Sequence, residues 1–136
     1  MFTPQQRHMS GITSELFVAQ KLSVVGYEIF WPLMTQSKID FLAVKEAEIL
    51  KVQVKKASWS TTGPYQYLQC RLHGRSRRDI KKWYTKEDVD FYAITDNERV
   101  WWIPFSEMGH QTSVCLDCTN PNYKQQTKYD AKLWLI

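Results

Sequence analysis

Four polar residues carry the chemistry open to this chain: Glu15, Asp40, Gln53 and Lys55. The last three sit inside two apolar, strand-like runs, Lys38-Ile-Asp-Phe-Leu-Ala-Val44 and Ile49-Leu-Lys-Val-Gln-Val-Lys-Lys-Ala57. A carboxylate in such a run is costly to bury unless the site binds something. A polar-x-Lys on the next run points to a divalent cation and a phosphodiester. Hydrolysing a phosphodiester requires neutralising phosphate charge and activating water near pH 7, and a metal serves both ends. Mg²⁺ takes oxygen ligands and keeps several waters. Asp40 would be the indispensable carboxylate, with the Gln53 amide oxygen and the Val54 carbonyl as further ligands. Lys55 falls two residues along on the face of Gln53, placed to hold the scissile phosphate and stabilise developing charge. Glu15 would reach the metal or its water shell. Gln53 stands where a second carboxylate is expected, so the reduced negative charge predicts weak metal binding without DNA.

Taken singly, these residues are ordinary. A glutamate in a first helical turn complements the helix dipole, an aspartate at a strand edge is usually solvated, and Val-Gln-Val-Lys is a common half-buried strand. The signal is the ordered set of helix Glu, hairpin Asp and Gln-x-Lys on the paired strand.

The elements that must position this set follow from periodicity. Ser10 is the expected N-cap of a helix in which Ile12, Leu16, Ala19, Leu22 and Val25 recur at helical spacing, with Gly26 as its C′ stop. Residues 27–31 read as a strand ended by Pro32. Residues 38–44 and 49–57 read as a hairpin across the polar turn Glu46-Ala-Glu48, with Val52 and Val54 facing the helix and Gln53 and Lys55 facing away. Residues 59–63 read as a loop, and Tyr65, Tyr67, Gln69 and Arg71 alternate on a further strand. Residues 89–94 and 100–104 read as two apolar strands around an Asp96-Asn97 turn. Trp101 and Trp102 could stack on bases, but one of two neighbours on a strand must face the core, which favours packing. The expected architecture is α/β, a mixed central sheet flanked by helices, in one domain spanning residues 1–136. Its core covers about 10–108, and the stretch 109–136 is left to oligomerisation or DNA contact.

The 43% hydrophobic content supports a real core, and 24% charged residues places the chain among globular proteins and not disordered ones. The net charge of +4 is modest but concentrated: Arg71, Arg75, Arg77, Arg78, Lys81 and Lys82 fall in one stretch. Such a stripe is either a solvated connection or the electrostatic footprint of a nucleic acid. Beside a phosphodiester site, Arg75, Arg77, Arg78, Lys81 and Lys82, with Lys56, are expected to contact the DNA backbone. Arg71, with Gln66 or Gln69, is expected to read base edges. The three cysteines, Cys70, Cys115 and Cys118, are an odd set and indicate a reducing interior. Cys115-x-x-Cys118 near His110 would need Cys70 or His73 to complete a zinc site, and plain thiols are the simpler reading. The first residues lack an apolar run, and no run approaches the roughly 18 residues of a membrane span. The expectation is a soluble, cytoplasmic protein.

The motifs Gly11-Ile-Thr-Ser-Glu15, Gly26-Tyr-Glu-Ile, Ile39-Asp-Phe-Leu-Ala-Val, Val52-Gln-Val-Lys-Lys, Val89-Asp-Phe-Tyr-Ala-Ile and Val100-Trp-Trp-Ile-Pro resemble the PD-(D/E)XK nuclease superfamily. Within it, the chain is most similar to the branch of bacterial group I intron-encoded homing endonucleases. The resemblance spans about residues 10–108. It implies an active site of Glu15, Asp40, Gln53 and Lys55, with Gln53 as the branch's own variation on the second acid. It also implies a Mg²⁺-dependent endonuclease (Mn²⁺ as substitute) acting on double-stranded DNA as a dimer or tetramer. Lys38-Ile39-Asp40 departs from the Tyr-Asp or Phe-Asp common in the family. A structure-selective junction resolvase would use the same core, although it usually keeps an acid at position 53. A catalytically silent DNA-binding module is the third reading, and it would have little reason to retain Glu15, Asp40 and Lys55 together.

Overall fold

The computed structural model describes residues 3–34, 37–72, 84–108, 112–122 and 134–136. The chain opens with helix α1 (Pro4–Val24), six residues ahead of the start expected at Ser10. The local reason is a capping box. Thr3 Oγ1 accepts from the Gln6 amide at 3.1 Å, Gln6 Oε1 accepts from the Thr3 amide at 2.8 Å, and Pro4 fills the first turn, where no donor is needed. The buried face of α1 is Ser14, Val18, Ala19 and Leu22, while Ile12 and Leu16 are exposed. The expected stripe was therefore rotated. A buried serine at position 14 is tolerated because its Oγ bonds Asn97 Oδ1 at 3.0 Å, a partner 83 residues away. The helix ends where expected. Gly26 takes φ +103°, its amide bonds the Ser23 carbonyl, and the Tyr27 amide bonds the Leu22 carbonyl, which together form a Schellman closure.

Among the described residues eight strands follow: β1 (Glu28–Phe30), β2 (Phe41–Lys45), β3 (Glu48–Lys56), β4 (Ser58–Thr62), β5 (Tyr65–Arg71), β6 (Phe91–Thr95), β7 (Val100–Pro104) and β8 (Ser113–Cys118), with the one-turn α2 (Phe105–Met108) between β7 and β8. The central sheet has the order β1-β2-β3-β6-β7. It is mixed as expected, because β3 and β6 run parallel and the other pairs antiparallel. The hairpin of β2 and β3 turns at Glu46-Ala47, with Glu46 at φ 56°.

A second sheet, β4-β5-β8, corrects the expectation of a loop at 59–63. All five residues of β4 are exposed, and without a buried face the run Trp-Ser-Thr-Thr-Gly lacks a strand's alternation. The sheet also takes in β8, from a stretch whose sequence showed no clear pattern.

The two faces of the central sheet bury different cores. Val52, Val54, Ala93, Val100 and Trp102 pack with Val18, Ala19 and Leu22 of α1. Tyr92, Ile94, Trp101 and Ile103 pack with Leu68, Cys70, Val114 and Leu116 of the second sheet. Trp101 and Trp102 are both buried, one in each core, so neither is available to stack on a base. Trp102 stacks on Phe91 at 4.3 Å. Among the described residues no helix is long and apolar enough to cross a membrane.

Candidate active site

Asp40 lies immediately before β2 and is gripped twice by β3. Its amide donates to the Val52 carbonyl at 2.9 Å, and its carboxylate accepts from the Val54 amide at 2.7 Å. The backbone ladder between β2 and β3 ends at the pair Phe41–Val52. Beyond it the Asp40 side chain satisfies a donor that β2 no longer reaches. Asp40 does not extend that register, since its amide bonds the carbonyl of Val52, the residue already paired with Phe41, and its carboxylate reaches on to Val54, between Gln53 and Lys55 and within the field of the Lys55 ammonium. In an extended strand a residue's N–H and C=O leave on the same edge, so the Val54 carbonyl also lies beside Asp40. Val52 and Val54 face α1, and Gln53 and Lys55 face the second sheet, as the alternation predicted.

Glu15 comes from α1 and meets Asp40 where β2 begins, sharing a hydrogen bond with it. Burial first, then the Asp40 charge and that bond, raise the Glu15 carboxyl from its ordinary 4.5 to about 7. Asp40 is also raised by burial, against the opposing pull of the Val54 amide, Glu15 and the Lys55 ammonium. Two carboxyls that both resist ionisation share one proton near neutrality. We assign that proton to Glu15, because Asp40 accepts the amide bond and feels the lysine.

Gln53 is buried, and its Oε1 has no hydrogen-bond partner. A buried carbonyl oxygen without a donor loses about 1–3 kcal/mol, and it is a hard oxygen of the kind Mg²⁺ prefers. With Asp40 and the Val54 carbonyl it forms an all-oxygen donor set, so the residues fit a divalent cation. Among the described residues there is no cluster of three or more His, Cys, Asp and Glu that could hold a metal ion. Lys55 Nζ lies over the Tyr84 ring at 4.9 Å, and Tyr84 meets Tyr92 edge-on at 6.3 Å. Sequence reasoning missed Tyr84, which stands in a polar stretch with no periodicity to mark it.

Of the expected DNA contacts, Arg71, Gln66 and Gln69 are exposed on β5. Lys56 is exposed with its Nζ on Ser10 Oγ at 2.9 Å, tying β3 to α1. Arg75, Arg77, Arg78, Lys81 and Lys82 lie outside the described residues, as do His73 and His110. Cys70 pairs with Val114 across the second sheet and Cys115 with Gln69, so Cys70 and Cys115 project to opposite faces and cannot share a metal. Burial pushes the Cys70 thiol up to about 12, leaving it inert.

Residues 5–134 match the PD-(D/E)XK endonuclease family, which covers nearly the whole chain. The chain belongs to that family and is a nuclease. It is 34% identical over 119 residues to Protein 5.3 of Escherichia phage T7, covering 88% of this chain and 98% of that protein. Its fold is similar to that of I-Ssp6803I, a bacterial homing endonuclease, with a TM-score of 0.72 at 16% identity over 94% of this chain and 87% of the other.

Proposed function

We propose that this nuclease is a divalent-metal-dependent endonuclease that hydrolyses phosphodiesters in double-stranded DNA, in the manner of a homing endonuclease. The observation that carries this reading is the Glu15–Asp40 pair, with Asp40 locked onto β3 beside the unpartnered Gln53 oxygen. Asp40, Gln53 Oε1 and the Val54 carbonyl would hold Mg²⁺, or Mn²⁺ in its place. When bound, the cation neutralises phosphate charge and makes its water more acidic. Lys55, steadied over Tyr84, donates to a phosphate oxygen and stabilises the charge that develops as water oxygen bonds phosphorus and the P–O bond to one sugar breaks. Glu15, titrating near neutrality, exchanges a proton with the attacking water. Lys56 and the basic residues at 75, 77, 78, 81 and 82 are assigned to the DNA backbone, and Arg71, with Gln66 or Gln69, to base edges. The homing-endonuclease likeness favours a dimer or tetramer, which light scattering on the purified protein measures directly.

The deciding assay is cleavage of plasmid and of a four-way junction, with Mg²⁺ or EDTA, by wild type, Asp40→Ala and Lys55→Ala. The expected outcome is metal-dependent cutting of plasmid by wild type alone. Intact DNA in every lane despite binding would sink the enzyme reading, and cutting restricted to the junction would replace it with a resolvase.

A further inference from the structure

On α1, residues four apart stack on one stripe, and Arg7, Gly11 and Glu15 form such a stripe. It lines a groove of about 420 Å³ that reaches Asp40 and is lined as well by Ile12, Trp31, Met34 and Ile39. Glycine in a helix interior weakens the helix relative to alanine. At Gly11 that weakness is not explained by packing among the described residues: a Cβ there would meet none of their atoms within 4 Å. Without a side chain at Gly11 the wall of the groove is low at this point. Trp31 is 46% exposed, and its ring is braced edge-on by Phe41 at 5.1 Å and 68°. A braced, half-exposed indole is a ready stacking platform. Arg7 stands about 12 Å along the helix axis from Glu15, a cation at the outer end of the same stripe.

We propose that this groove holds an unpaired nucleotide next to the scissile phosphate. Its base stacks on Trp31 among Ile12, Met34 and Ile39, its backbone crosses Gly11, and its phosphate meets Arg7. The aromatic and aliphatic walls suit the face of a base and not the sugar-phosphate edge of an intact duplex, and a base reaches such walls only when it leaves its stack. This proposal rests on the nuclease reading.

The test compares binding in EDTA to two labelled DNAs of one sequence, one fully paired and one with a short single-stranded gap. The ratio of affinities is the readout. Wild type should prefer the gapped DNA by roughly 5- to 150-fold, the range for one base stacked on an aromatic ring. Trp31→Ala and Gly11→Leu should bring the ratio close to one, and Trp31→Phe should retain most of it. Gly11→Ala should melt no lower than wild type, which shows that the glycine serves no packing role. Equal affinity of wild type for both DNAs overturns the proposal, as does a preference that survives Gly11→Leu and Trp31→Ala. A DNA-free dimer that these two variants dissociate overturns it too, by showing that a second copy fills the groove. Mg²⁺ cleavage is assayed on the same DNAs. Cutting without a gap preference sinks the groove alone, whereas neither binding nor cutting by wild type sinks the nuclease reading.

Discussion

Asp40 accepts an amide proton, faces a lysine and shares a proton with Glu15, all without leaving the end of one strand. Its partner sets the pH behaviour. Glu15 has a folded pKa raised above its ordinary 4.5 to about 7, so the folded state favours the protonated form. The stability this gives is complete below pH 4.5 and is lost as pH rises through 7. In EDTA, wild type should melt at a lower temperature at pH 8 than at pH 5, and Glu15→Gln should flatten that part of the profile. A cation held by Asp40 favours the fully ionised pair and so releases the shared proton. Calorimetry of Mg²⁺ binding near pH 6.5 should therefore show proton release that Glu15→Gln removes. Lys55 supplies a second residue-scale prediction. Tyr84→Leu should lower kcat and leave DNA affinity nearly unchanged, and Tyr84→Phe, which keeps the ring under the ammonium, should restore turnover. The residue types at the site were legible because alternation in β3 puts Gln53 and Lys55 on one side. The contact beneath Lys55 was not legible, since nothing local in the sequence ties position 84 to position 55.

Among the elements, α1 shows both how local signals work and where they fail. Its end was readable because Gly26 does what only glycine does without strain: it takes φ +103° and closes the Schellman pair. A Cβ there would also come within 3.3 Å of Lys45 Cε, whose ammonium bonds the Val25 carbonyl. Gly26→Ala should cost about 1–2 kcal/mol in urea unfolding, the usual penalty for a side chain in left-handed backbone. The start of α1 was misplaced because Ser10 looks like a cap in isolation, while the true cap, Thr3, acts through Gln6. The buried face was misjudged for a different reason. Ser14 is buried only because Asn97 arrives from the β6–β7 turn to bond it, so the partner that decides the face is remote in sequence.

At the scale of the whole molecule, the central sheet is a partition between two cores, and β7 shows this in two adjacent residues. Trp101 fills one core and Trp102 the other. Arg99 braces the partition: it bonds Asp96 at 2.9 Å, Asp117 of the second sheet at 3.0 Å, and lies over the Trp101 ring at 4.8 Å. Trp101→Ala should lower stability by about 3–5 kcal/mol, read by denaturant unfolding, because it empties a fully buried site. The α/β class and mixed sheet were readable from the strand runs. The second sheet was not, because β4 has no buried face of its own and β8 becomes a strand by pairing with β5.

The parallel pairing of β3 with β6 has a consequence for the order in which the protein is made. Glu15, Asp40, Gln53 and Lys55 all leave the ribosome within the first 55 residues, but Ile94, which sits opposite Lys55, emerges much later. Until it does, β3 is an edge strand with Gln53 and Lys55 on an uncovered face. Under the proposed assignment, the nascent chain carries all four candidate side chains before the strand that completes their scaffold. A chain released before β6 should carry all four candidate residues and cut nothing.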